Sequence, residues 1–131
     1  MSELDGGLLL NRAINPSWVQ QGFPTSQAFQ PTRKDEDKLS TYDNGKLNPQ
    51  DTQDYFTKDL KLGSAGIMQV TVEECVSIDL NVYSDPDGGG TPHPAHVATD
   101  FSAHSKGQQK KRAGKLRDAA NVRGWLLKSS A

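Results

Sequence analysis

Apolar residues change their spacing several times along this chain, and each change marks a predicted element. Leu8-Leu9-Leu10, followed by Ile14 and stopped by Asn15-Pro16, predicts a buried strand over residues 8–14. Trp18, Val19 and Phe23 form an aromatic patch that would lie over the core. Thr25–Phe29 alternates weakly and Leu39–Tyr42 more clearly, so the two predict short strands joined across the charged loop 31–38 as a hairpin. Asn48-Pro49 is a helix start, and Tyr55, Phe56, Leu60 and Leu62 supply an apolar stripe up to Gly63.

Gly66–Val72 is the strongest strand pattern. Thr71 and Glu74 then have capping-box spacing for a short helix running to about Ile78. A brief strand over 80–83, a Gly/Pro loop over 84–94 and a strand over 95–102 follow. Residues 105–123 project Ala113, Leu116, Ala119 and Ala120 onto one third of a helix, with Ser105 as N-cap and Gly124 as stop. Trp125–Leu127 is a short apolar run placed either to add a strand beside Ile67–Val72 or to plug the base of the domain. The order predicts an α+β fold: a small, mostly antiparallel sheet with two main helices, about 49–62 and 105–123, packed against one of its faces. Length supports a single domain over 1–131, with 1–6 and 84–94 as its flexible parts.

Charge changes the picture at the C-terminal end. Residues 1–104 hold seven cations and fifteen acids (−8), whereas residues 105–131 hold eight cations and one acid (+7). Lys106, Lys110, Lys111, Arg112, Lys115 and Arg117 occur with no acid between them. Lysines at a helix start oppose the macrodipole, at a cost of a few tenths of a kcal/mol each unless an anion offsets it. His104-Ser105-Lys106 therefore reads as an anion-binding helix start. The partner class that follows is an acidic protein surface or nucleic-acid phosphates. The acidic helix 49–62 offers a third partner, since acidic and basic surfaces of two copies can pair.

Candidate chemistry is sparser. Arg12 in a buried strand needs a partner or a ligand anion. His96 and Asp100 share a strand face and have the residue types of a base and its orienting carboxylate. Ser26, Ser40 and Tyr42 would line a pocket wall beside them. Together with the 105–107 helix start they define an alternative, a small enzyme acting on a nucleotide or phosphorylated compound. That alternative requires Arg12 and His96 to converge on one cleft.

Other patterns lose force on inspection. The His93/His96 pair lacks a third ligand of suitable spacing, so no metal is expected. Asp85-Pro86-Asp87-Gly88 has too few acids and no closing glutamate for a calcium loop. The Gly88–Gly90 run lacks the strand and helix that flank a phosphate loop, and no cofactor is expected. One cysteine, Cys75, leaves no internal disulfide and points to a reducing compartment. No run reaches the ~20 apolar residues of a membrane span, and the start lacks a signal-peptide pattern, so a cytoplasmic location is expected.

Overall fold

The strand expected over 8–14 lies inside a six-stranded antiparallel sheet. The computed structural model describes residues 4–31, 37–88 and 92–128. In chain order its elements are β1 (Leu9–Ala13), β2 (Val19–Gln20), β3 (Phe23–Pro24), β4 (Lys38–Asp43), α1 (Pro49–Asp54), β5 (Gly66–Thr71), α2 (Val72–Val76), β6 (Asn81–Ser84), β7 (His96–Asp100), α3 (Lys106–Arg123) and β8 (Leu127–Lys128). The sheet runs β6-β7-β4-β1-β5-β8, and β2 and β3 form a separate small hairpin. The fold is α+β, a curled sheet with helices packed on it.

Register decides which side chains meet. Residues opposite one another on antiparallel strands share a face, and successive residues alternate. Arg12 lies opposite Met68 and Leu10 opposite Val70, so these four point to one side. Asn11 lies opposite both Gln69 and Tyr42, and Tyr42 lies opposite His96, so this set points to the other side. The first side carries the apolar core: Leu10, Met68, Val70 and Val97 pack with Phe29, Phe101 and with Ala113, Leu116 and Ala120 of α3. Each fully buried Leu, Val or Phe contributes about 1.5–3 kcal/mol relative to exposure.

Helix α3 is capped as its sequence predicts. Ser105 Oγ accepts from the Gln108 N–H, and Gly124 stops the helix at φ 87°. Its buried stripe is Gln109, Ala113, Leu116 and Ala120, with Ala119 only partly covered. Gln109 is tolerated there because its amide donates to the Phe101 and His104 carbonyls, tying the helix start to the preceding turn. The Thr71–Glu74 capping box forms as expected, and β8 pairs with β5. At Gly66 (φ 151°) a Cβ would lie 2.2 Å from the Leu127 carbonyl oxygen, so only glycine lets β8 approach this closely.

Four expectations change. Residues 26–29 form a 3₁₀ turn and not a strand, so no hairpin joins them to β4. The Ala28 N–H donates to the Thr25 carbonyl and the Gln30 N–H to the Gln27 carbonyl, so the backbone bonds of this segment close within the turn and not across a ladder. The helix expected over 49–62 is α-helical only to Asp54 and continues as a π turn over Tyr55–Asp59, where the Thr57 hydroxyl bonds back to the Gln53 carbonyl. Helix α2 ends at Val76, before the left-handed Asp79 (φ 63°). Finally, the helices do not share one face: α3 covers the apolar side, whereas Thr52 of α1 accepts a hydrogen bond from Asn11 on the other. The acidic and basic helices are thus separated by the sheet.

Candidate functional site

The basic helix divides into an occupied part and a free part. At its start, Lys106 makes an ion pair with Asp37. His104 Nε2 lies 2.8 Å from the Asp79 carbonyl, so the residues expected to hold an external anion already have partners within the chain. Arg112 Nε donates to the Ile78 carbonyl at 2.8 Å, Arg117 pairs with its neighbour Asp118, and Arg123 grips Glu74 through both nitrogens of its fork at 3.0 Å each. Lys110, Lys111 and Lys115 are exposed and, among the described residues, have no hydrogen bond or ion pair. Lys111 and Lys115 stand one turn apart on a groove of about 310 Å³ between α3 and the turn after α2, which Ser77, Ile78, Asp79, Gln108 and Arg112 complete.

The arginine fork at Glu74 also sets that carboxyl's acidity. Burial alone would raise it, but hydrogen bonds from Arg123 and from the Thr71 N–H outweigh burial and hold Glu74 below the ordinary carboxylate value. Cys75, fully buried beside it, is pushed up to about 12 by burial, with the Thr99 hydroxyl opposing the shift. It remains a thiol and is no nucleophile at neutral pH.

The remaining candidates fall on the two sides of the sheet. Arg12 is on the core side, where Nε donates to the Ala28 carbonyl and Nη1 to the Ser40 carbonyl, both at 3.0 Å, with its guanidinium 5.4 Å from the Trp18 ring centre. Ser26 lies in the 3₁₀ turn that packs on α3, also away from His96. The cleft uniting Arg12, His96 and the Ser105–Lys106 helix start therefore does not exist: strand alternation sends Arg12 and His96 to opposite faces. Asp100 is no orienting carboxylate for His96; its Oδ1 accepts from the Ser102 N–H.

Ser40, Tyr42 and His96 do come together. His96 Nε2 lies 2.9 Å from Ser40 Oγ, and Nδ1 lies 2.7 Å from the Asp85 carbonyl oxygen. The Tyr42 ring meets His96 edge-on at 5.8 Å, Tyr55 meets Tyr42 at 5.7 Å, and His93 lies against Tyr55 at 4.5 Å. Next to this cluster, Asn11 Nδ2 donates to the Leu47 carbonyl at 2.8 Å and Asn11 Oδ1 accepts from Gln69 Nε2 at 2.7 Å. The sequence marks Asp85 only as part of a turn with too few acids for calcium and Tyr55 only as part of a helical apolar stripe, because the partners that bring both to this cluster arrive by long-range pairing.

Among the described residues no three His, Cys, Asp or Glu side chains are grouped to hold a metal ion. His96 has both ring nitrogens engaged, and His93 Nδ1 accepts from the Ala95 N–H. No described helix is long and apolar enough to cross a membrane. Comparison with protein-family models, with curated proteins and with solved structures finds no match to this chain.

Proposed function

We propose that this chain is a binding module whose exposed α3 face engages an acidic protein surface. The observation that carries this reading is the trio Lys110, Lys111 and Lys115, without a carboxylate partner among the described residues, on a helix whose other cations have partners. The helix is held by its apolar stripe and by Arg112 and Arg123, so its lysines are presented on a fixed frame. Lys111 and Lys115 on the groove give a carboxylate-bearing segment two cations at one-turn spacing. This moves the contact one to two turns into the helix, away from the start anticipated from sequence.

An acidic protein is favoured over a polyphosphate because residues 1–104 carry −8 and would repel an extended nucleic-acid backbone. Within the groove, Asp79 adds a further repulsion that a short acidic segment can avoid. The acidic α1 of a second copy is one such surface, because the sheet keeps it from reaching α3 of its own chain.

The test is titration of a glutamate-rich peptide at low salt, with duplex DNA and the protein's own light scattering as parallel arms. Replacing Lys111 and Lys115 by alanine is expected to weaken peptide binding roughly three- to thirtyfold, as two exposed pairs of ~0.3–1 kcal/mol each imply. Tighter binding of DNA than of peptide would transfer the reading to nucleic acid. Salt-sensitive dimerisation would identify the partner as a second copy. No binding in any arm at low ionic strength would remove the reading.

A further inference from the structure

We infer that Ser40 is a nucleophile with His96 as its base, forming a site on the polar face of the sheet that accepts the acyl group of a small carboxylic ester. This goes beyond the binding role of α3 and uses none of its residues. The argument begins with the imidazole. Nδ1 lies 2.7 Å from the carbonyl oxygen of Asp85, a group that can only accept, so Nδ1 carries hydrogen. In the neutral ring Nε2 is then an acceptor, and the contact at 2.9 Å is the Ser40 hydroxyl donating to it. The hydroxyl proton thus already points at the group that would remove it.

The surroundings hold this geometry and leave the hydroxyl room. His96 is 2% exposed and cannot swing away, being enclosed by the Tyr42 ring and the Asp85 turn. From the opposite side of the sheet, Arg12 Nη1 donates to the Ser40 carbonyl, which fixes the backbone beneath the nucleophile. Ser40 itself is only half-buried, although it lies in an interior strand. Its cross-strand neighbour on this face is Ala98, a side chain that ends at one methyl group, and Ser40 keeps its partial exposure beside it. Asp85 Oδ2 lies 3.9 Å from Nδ1, beyond hydrogen-bond reach, so the Asp85 carbonyl is the acceptor that orients the ring.

The reaction balances within these groups and water. As Ser40 Oγ adds to the ester carbonyl carbon, its proton passes to His96 Nε2. The bond from that carbon to the alcohol oxygen then breaks, and the departing alkoxide takes the proton from Nε2. A water molecule next gives a proton to Nε2 as it attacks the acyl carbon. The bond to Oγ breaks, and Oγ recovers the proton.

The experiment treats the full chain with an alkyl fluorophosphonate, in which Oγ displaces fluoride from phosphorus, and locates the adduct by peptide mass mapping. The folded protein is expected to carry one adduct at Ser40, and S40A to carry none while melting within a few degrees of the parent. H96Q is expected to slow labelling by about a hundredfold or more, the scale of a general base. D85A should retain the rate within about fivefold, because the orienting acceptor is the main-chain carbonyl. If H96Q does not fold, the parent labelled in urea serves instead: Ser40 must lose its reactivity when the pair is broken by unfolding. An unlabelled Ser40 in the folded parent, under conditions that modify a serine hydrolase to completion, would overturn the inference. So would equal labelling of Ser40 in the folded and urea-unfolded chains.

Discussion

On one side of the sheet Leu10, Met68, Val70 and Val97 meet the small residues and Leu116 of α3, and the contact is held by shape and by exclusion of water. On the other side Asn11, Gln69 and Thr52 are equally buried, but they are joined by hydrogen bonds of 2.7–3.2 Å. The first face is insensitive to small rotations, because apolar attraction has no direction. The second tolerates almost none, since each lost partner leaves a polar group dry. Side chains held by directional contacts therefore lie on the second face, and that is where Ser40 and His96 meet. The first face gives the protein its stability and presents α3 as a fixed helix.

The comparison can be broken most severely at Leu116. Truncation to alanine removes a side chain 1% exposed in the middle of the core, where a cavity cannot easily collapse. We expect a loss of about 2–5 kcal/mol in urea unfolding. Cys75 offers a second measurement, because its buried thiol reacts with iodoacetamide only when the core opens; alkylation should accelerate in step with the lost stability. A change below 1 kcal/mol would mean that α3 is not anchored through its apolar stripe.

A smaller effect is expected at the centre of the polar face. Asn11→Ala leaves the Leu47 carbonyl and the Gln69 amide without their shortest hydrogen bonds, at a cost of about 1–3 kcal/mol. The two substitutions should also differ in kind. Leu116→Ala should leave the chemical shifts of His96 and Tyr42 unchanged, because it acts through the opposite face. Asn11→Ala should move them, because Tyr42 is its cross-strand neighbour. Identical shift patterns for the two variants would deny the separation of the faces.

The uneven legibility of the sequence has the same origin. Strands β1 and β5, both ends of α3 and the capping box of α2 could be read because spacing and cap residues act over a few positions. The terminal strand β8 was legible in part: the apolar run after Gly124 suits either a strand beside β5 or a plug at the base of the domain, and the pairing of Leu127 with Ile67 decides for the strand. The site was not legible as a unit. Ser40, Tyr42 and His96 were each picked out, yet their meeting depends on a β4–β7 register spanning 56 residues, which no local pattern encodes. The sequence places Arg12 in a strand but does not say which face its side chain takes, and the register sends it away from His96. At α3, composition revealed the cations but not that Asp37 and Asp79, distant in sequence, would engage its start.

The smallest effect concerns the edge of the core face, where Arg123 of α3 grips Glu74 of α2. Glu74 is held below the ordinary value of 4.5 because, although burial opposes it, the Arg123 fork and the Thr71 N–H favour the charged form. A carboxyl depressed in the folded chain stabilises it above the unfolded value, and that contribution disappears as pH falls through the folded value. Glu74→Gln keeps an acceptor for the Thr71 N–H but removes the charge, so the difference between parent and variant isolates the electrostatic part. At pH 7 the parent should be more stable by less than about 1 kcal/mol, since both side chains retain more than a quarter of their exposure and solvent screens them. The difference should begin to shrink below pH 4.5, vanish once the folded carboxyl is protonated, and be reduced at pH 7 by 1 M salt. Urea titrations of the two proteins at neutral and acid pH measure this directly. A gap that persists after protonation would show that packing, and not charge, joins α2 to α3 at this corner.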